Sequence, residues 1–295
     1  MTQIYEKWRE LSVNPLDIPL KNIVLKEIVS YPPAQNDVVE CVCDFANKDI
    51  HAFLKYERSR MADFASEIKI LQRLNKDKYD LVPRILEDGM YNSKRYMVLS
   101  KLEGERLSDI LKVGLDKEIK YQYLLNYGKE LANIHSFSLK NIGIAKQRII
   151  NDYPKEKDYK NIPDYLKQYI TYLKDNLPEK DLNTFIHGDF HYANILWDNL
   201  NISGILDWEY SGIGFKEQDI AWACILRPTQ KFMDSIEDLD YFLKGYKNTG
   251  TFDETSFYWC LLNGYLHFYL MNLDNKRYIN ILKKLMNEVK LRLNI

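Results

Sequence analysis

The sequence lacks the features that would place it quickly. Neither charge is in excess: Lys and Arg number 41 against 42 Asp and Glu, so no net field draws the chain onto nucleic acid or anionic lipid. No run reads as the roughly 18 predominantly apolar residues of a membrane span. The opening MTQIYEKWREL carries charges throughout and has no apolar core of a signal peptide. Cysteine is scarce, with four in 295 residues. Cys41 and Cys43 alternate about Val42, Cys224 and Cys260 stand alone, and none has a partner at metal-ligand spacing. Reduced, buried thiols in a cytoplasmic protein are expected, with no nucleic-acid or membrane partner.

What is present is ordinary globular material, 46% apolar and 28% charged, in a chain long enough for two lobes. IVLKEIVSYP, DVVECVCDF and HAFLKYE, separated by PPAQN and NKD, predict a meander between Ile23 and Glu57. A helical period follows from Arg60 to Asn75, with Phe64, Ile68, Leu71 and Leu74 on one face and Glu67 near it. After a loop around Pro83 and an Asp88-Gly89 turn, RYMVLSK predicts another strand. Beyond Gly104 the pattern is helical over 116–137, 163–176, 217–226, 235–246, 257–272 and 277–293. The exception is 184–209, where NILW and ISGILDW flank a polar turn at 198–201 and predict a hairpin. The expectation is an α+β protein with an antiparallel N-terminal lobe, 1–103, and a mostly helical C-terminal lobe, 104–295.

The chemistry-bearing residues flank that hairpin: His187-Gly188-Asp189, then Asn194, then Asp207-Trp208-Glu209. Phosphoryl transfer needs a carboxylate to orient the attacking hydroxyl and take its proton, and an amide oxygen and a second carboxylate to hold Mg²⁺ against a triphosphate. Asp189 fits the first role, Asn194 and Asp207 the others. Hard oxygen donors in so small a number suit Mg²⁺, which completes its shell with water and phosphate. An Asp beside a turn Gly is by itself an ordinary solvated residue; the ordered set is what points to catalysis. Upstream, Lys55 ends an apolar strand and Glu67 lies on the next helix. The Lys could hold phosphates while the Glu fixes it, or be a snorkelling edge lysine beside a solvated helix residue.

In this order, Lys55, Glu67, HGD at 187–189, Asn194 and ILDWE at 205–209 resemble the aminoglycoside phosphotransferase family and its choline-kinase-like relatives. VPRILEDG at 82–89, YMVLSKLEGERL at 96–107 and ELANIHSF at 130–137 extend the resemblance over nearly the whole chain. It implies the two-lobed protein-kinase-like fold, ATP or GTP as co-substrate, and adenine held at a hinge by the Ser100 carbonyl and the Leu102 amide, with Leu99 behind. It also implies that Asp219 braces the catalytic loop and that His135 is a buried structural residue. The loop expected over the phosphates, Ser30 to Asp37, departs from a glycine-rich pattern: it has two prolines and no glycine. Ser30 and Asn36 are its candidate phosphate contacts. Glu209 could face metal or substrate, or be a solvated turn residue.

The acceptor is expected to be a small hydroxylated molecule, an aminoglycoside first and an amino alcohol such as choline or a sugar next. The late helices are crowded with aromatics between Trp222 and Tyr269, at the helical spacing of ordinary core packing, some of which could instead line a pocket for an amine. Asp234, Glu237, Asp238 and Asp240 could draw a polycation. The ending KLRLNI has no acidic tail of the kind some aminoglycoside-modifying relatives use, which counts against a role in antibiotic resistance. Trp208-Glu209 in place of Phe-Gly, and no Ala-Pro-Glu segment after it, set the chain apart from protein kinases. A non-catalytic nucleotide-binding protein is the other class. Monomer and dimer both stay open.

Overall fold

The computed structural model describes residues 9–58, 63–111, 114–138, 142–145, 162–228 and 230–295. The expected helix start at Arg60 and the first eight residues lie outside them. By contacts the chain divides into two compact units, Met1–Gly104 with Ser203–Glu209, and Glu105–Ile202 with Tyr210–Ile295.

The first unit is built on a five-stranded antiparallel sheet of β1 (Ile23–Ser30), β2 (Asp37–Phe45), β3 (Lys48–Tyr56), β4 (Ile85–Tyr91) and β5 (Lys94–Ser100), in the order β1-β2-β3-β5-β4. Ala46 and Asn47, at φ 54° and 62°, give the tight turn that joins β2 to β3 with the strand twist kept. Alternation sends Cys41, Cys43, Ala52, Leu54, Tyr96 and Val98 into one buried cluster. Lys55 pairs with Met97, so it takes the opposite face. Helix α1 (Phe64–Lys76) follows, capped by the Asp63 side chain on the Ser66 N–H.

β4 corrects the sequence reading, which placed a turn at Asp88-Gly89. Those residues sit within the strand, opposite Met97 and Tyr96. Gly89 is there because Tyr96 lies over it: a Cβ would come 2.6 Å from the Tyr96 hydroxyl. The true turn is Asn92-Ser93, again with both φ values positive.

The second unit is mostly helical: α2 (Leu107–Ile110), α3 (Lys117–His135), α4 (Asp164–Asp175), α5 (Lys216–Cys224), α6 (Ile236–Lys247), α7 (Glu254–Met271) and α8 (Lys276–Leu293). α7 is buried along most of its length, from Phe257 through Leu266, as its continuous apolar sequence requires. β6 (Glu105–Arg106) pairs with β8 (Ile195–Asp198), and a turn at Asn199 leads to β9 (Asn201–Ile205), which carries the chain back to the first unit. Two three-residue strands, β7 (Thr184–Ile186) and β10 (Gly212–Gly214), pair across the segment and were not expected. They are too short to show a period of two.

Among the described residues no helix is long and apolar enough to cross a membrane. All four cysteines are free and buried, and burial pushes the Cys41 thiol up to about 12.

α3 and α6 pack with backbone almost touching backbone. A Cβ on Gly245 would run into the Leu125 carbonyl, and one on Gly128 into that of Phe242. Gly245→Ala should therefore cost about 2 kcal/mol or more by overpacking. Gly143→Ala, where a Cβ meets nothing within 4 Å, should change stability by about 0.5 kcal/mol or less. Urea denaturation of the two variants checks the contrast.

Candidate active site

In the first unit the candidate site is organised about one ammonium. Lys55 Nζ lies 2.9 and 3.0 Å from the two carboxylate oxygens of Glu67 and 3.6 Å from Asp207 Oδ1. The Glu67 side chain is 1% exposed and that of Lys55 12%. Burial opposes a charge on Lys55, yet Glu67 and Asp207 outweigh it and hold its pKa above the usual lysine value. The lysine therefore stays protonated across the physiological range. The snorkelling and solvated alternatives for this pair are set aside by its burial.

The Glu67 carboxylate also takes the Trp208 backbone N–H, which ties α1 to the Asp207-Trp208-Glu209 turn. Trp208 is fully buried, and its indole donates to the Ile205 carbonyl at 2.9 Å. Asp207 itself stands at φ 64°, a left-handed conformation that costs a non-glycine residue on the order of 1 kcal/mol or more and concentrates at working sites. Its carboxylate is more than a third exposed.

Glu209 is buried and accepts from the Asn36 amide at 3.2 Å. That overturns the solvated-turn alternative for it. Asn36 in turn accepts the Arg58 N–H at 3.1 Å, so the proline-containing segment is anchored through this side chain. The Ser30 hydroxyl is donated to Glu40 at 2.7 Å, and Glu40 also receives Lys101. At the end of β5, Ser100 exchanges bonds with Arg84 through its N–H and its hydroxyl. The Leu102 N–H, just past β5, has no partner among the described residues, the condition for receiving a ring nitrogen.

In the second unit Asp189 follows β7. Gly188 stands at φ 77°, and a Cβ there would run into the Tyr210 carbonyl; this is the physical reason for glycine before the carboxylate. Asp219, 2% exposed, accepts the N–H groups of His187 at 3.0 Å and Gly188 at 2.9 Å. It also lies 3.1 Å from His135 Nε2, whose Nδ1 is 2.7 Å from the Tyr246 hydroxyl. A carboxylate can only accept, so Nε2 carries a proton, while Nδ1 shares its hydrogen bond with the phenol. Both ring nitrogens of His135 are thus used within the fold.

The Asp189 carboxylate receives the Trp222 indole N–H at 2.8 Å, and His191 Nε2 lies 3.7 Å from it. The Asn194 amide nitrogen donates to the Asp189 carbonyl at 3.1 Å, and its oxygen is an acceptor by chemistry. Trp222 was read only as one of many late aromatics. Its place three residues after Asp219 was the missed signal: both lie on one face of α5, one holding the loop's backbone and the other its carboxylate.

The family model described as "Phosphotransferase enzyme family" matches residues 46–258. Among solved structures, an aminoglycoside-3'-phosphotransferase of type VIII superposes with a TM-score of 0.57 at 15% identity, covering 83% of this chain and 93% of that one. The choline kinase LicA from Streptococcus pneumoniae gives 0.54 at 14%, covering 91% and 94%. A complex of an aminoglycoside phosphotransferase from Streptomyces rimosus with ADP and streptomycin gives 0.50 at 13%, covering 85% and 92%. These establish the kinase-like α+β fold. Curated relatives include a probable acyl-CoA dehydrogenase of Arabidopsis thaliana, 22% identical over 212 residues. Acyl-CoA dehydrogenase family member 11 of Gallus gallus is 30% identical over 107 residues. The aligned stretches cover 62% and 32% of this chain but only 25% and 14% of those proteins.

The Asp219 brace generates a direct expectation. An amide at this position offers one oxygen where three donors now converge, so Asp219→Asn should lower stability by about 1–3 kcal/mol and kcat at least tenfold, with nucleotide KM unchanged. Denaturation and steady-state kinetics on the same preparation check it.

Proposed function

We propose that this chain, which belongs to the phosphotransferase enzyme family, moves the γ-phosphate of ATP or GTP to an alcohol oxygen of a small molecule. The observation that carries the reading is the pinned Asp189: a buried residue, 7% exposed, whose carboxylate is aimed by Trp222 and seated on a backbone that Asp219 holds. A protein that only bound nucleotide would have no use for so fixed a proton acceptor.

In this mechanism the acceptor oxygen bonds to the γ-phosphorus as the bond from that phosphorus to the bridging oxygen breaks. The hydroxyl proton goes to Asp189, and the nucleoside diphosphate leaves. Lys55, kept charged by Glu67, holds the phosphates, and the hinge around Ser100 and Leu102 takes the base. Ser30 is engaged with Glu40, and Asn36 with Glu209 and Arg58, so their part is to shape the segment that covers the phosphates. The donor chemistry suits Mg²⁺: a part-exposed carboxylate, Asp207, and an amide oxygen, Asn194, both hard ligands. When bound, Mg²⁺ neutralises charge on the phosphates. Four buried free thiols fit a reducing, cytoplasmic setting.

The aminoglycoside and amino-alcohol acceptors are weighed against the surface charges. Asp234 and Asp238 pair with Lys120, Glu237 with Lys117 and Asp240 with Arg292. The acidic residues that could have drawn a polycation already face cations.

Asp189→Ala should abolish acceptor-dependent NDP release by a factor of at least about 10² while leaving Mg-dependent nucleotide binding in place. Asp207→Asn should keep the fold, since Asn tolerates left-handed backbone, and lose transfer. Coupled NDP-release assays beside nucleotide titration separate the two effects. Equal loss of binding in Asp189→Ala would contradict its role.

A further inference from the structure

Where α5 ends, the chain turns and places Arg227 against the aromatic side chain that serves the catalytic carboxylate. The guanidinium donates to the carbonyls of Ile225 and Trp222. Its carbon lies 4.2 Å from the Trp222 ring centroid and 5.1 Å from that of Phe268. The same indole donates to Asp189 at 2.8 Å. A fixed positive charge therefore sits one ring away from the proton acceptor.

This arrangement works against cationic acceptors. The Trp222 and Phe268 rings, which could hold an ammonium through their π-electrons, already carry a guanidinium, and a second cation there would meet like charge. For an anion the same group is a fixed, permanently charged guanidinium, the cation best suited to carboxylate and phosphate oxygens. Gln230 joins this corner to the catalytic loop: it accepts the Arg227 N–H at 3.1 Å and is hydrogen-bonded to Tyr192.

We propose that the acceptor carries an anionic group, a carboxylate or a phosphate ester, beside the hydroxyl that is phosphorylated, and that Arg227 receives it. The inference rests on the phosphotransferase reading above and adds to it the charge class of the substrate. Arg227 is then a specificity-determining residue, in addition to its helix-capping contacts. Transfer itself is unchanged: the hydroxyl oxygen gains the phosphoryl group, its proton passes to Asp189, and NDP departs.

The test is acceptor-dependent NDP release, with Mg²⁺ and either ATP or GTP, against three sets of hydroxylated compounds. One set holds hydroxycarboxylates and hydroxyalkyl phosphates, the second neutral polyols and sugars, the third amino alcohols, choline and aminoglycosides. The best kcat/KM is expected in the first set, and the ranking of its carboxylates against its phosphates identifies the source of the charge. Arg227→Gln, which keeps amide donors for the two carbonyls, should raise acceptor KM at least tenfold with nucleotide KM unchanged. Arg227→Lys should recover part of that loss, and methyl esters of the active hydroxycarboxylates should lose their advantage. A purely capping role would lower the unfolding midpoint in Arg227→Gln without moving acceptor KM, and that result overturns the proposal. So does turnover confined to the neutral or cationic sets, which leaves the phosphotransferase reading standing. Turnover of none of the three sets defeats that reading and this one with it.

Discussion

The second unit depends on one buried carboxylate. Asp219 accepts two consecutive backbone N–H groups of the His187-Gly188 segment and faces the ring of His135. Hydrogen bonds to a charged acceptor are about twice as strong as neutral ones, and this acceptor has almost no contact with solvent. It fixes a loop whose glycine is left-handed and whose next residue is Asp189. From the same helix face Trp222 reaches the Asp189 carboxylate, and just beyond the helix Arg227 stacks on Trp222. One short element, α5, thus sets the loop's backbone, the aim of its carboxylate and the charge beside it.

The first unit has a parallel economy around Lys55. A lone buried ammonium would lose its proton, but Glu67 and Asp207 hold it charged. Glu67 is itself fixed by a backbone N–H from Trp208, so the strand that carries the lysine, the helix that carries the glutamate and the turn that carries Asp207 are set by one set of contacts. The left-handed Asp207 fits this picture, because strain of that kind persists only where the surroundings over-determine it. Glu209 and Asn36 extend the same order to the glycine-free segment.

Much of this was legible in the sequence, for definite reasons. The helices announce themselves through a period near 3.6, while the caps Asp63 and Asp253, each of which accepts a backbone N–H, set starts that the period alone misplaced. The order of Lys55, Glu67, Asp189, Asn194 and Asp207 is informative because several residue types must recur at the right spacing. What stayed hidden is what depends on contact. β4 was obscured by Asp88-Gly89, a turn signal that Tyr96 turns into a packing requirement. β7 and β10 are too short for any pattern. The return of Ser203–Glu209 to the first unit, and the pairing of Asp234 and Asp238 with Lys120, join residues about a hundred positions apart that no local pattern relates. Trp222 was in plain view at three residues from Asp219, but its meaning needed the loop in place.

The central claim is that a phosphoryl group passes to an alcohol oxygen. Phosphorus NMR of the protein incubated with Mg²⁺, ATP or GTP, and hydroxylated acceptors tests it most directly. The account predicts a new phosphomonoester signal coupled to the protons on the acceptor's carbinol carbon, growing as the nucleoside diphosphate appears and absent with Asp189→Ala. Inorganic phosphate as the sole new signal, formed at the same rate with and without acceptor, would contradict it.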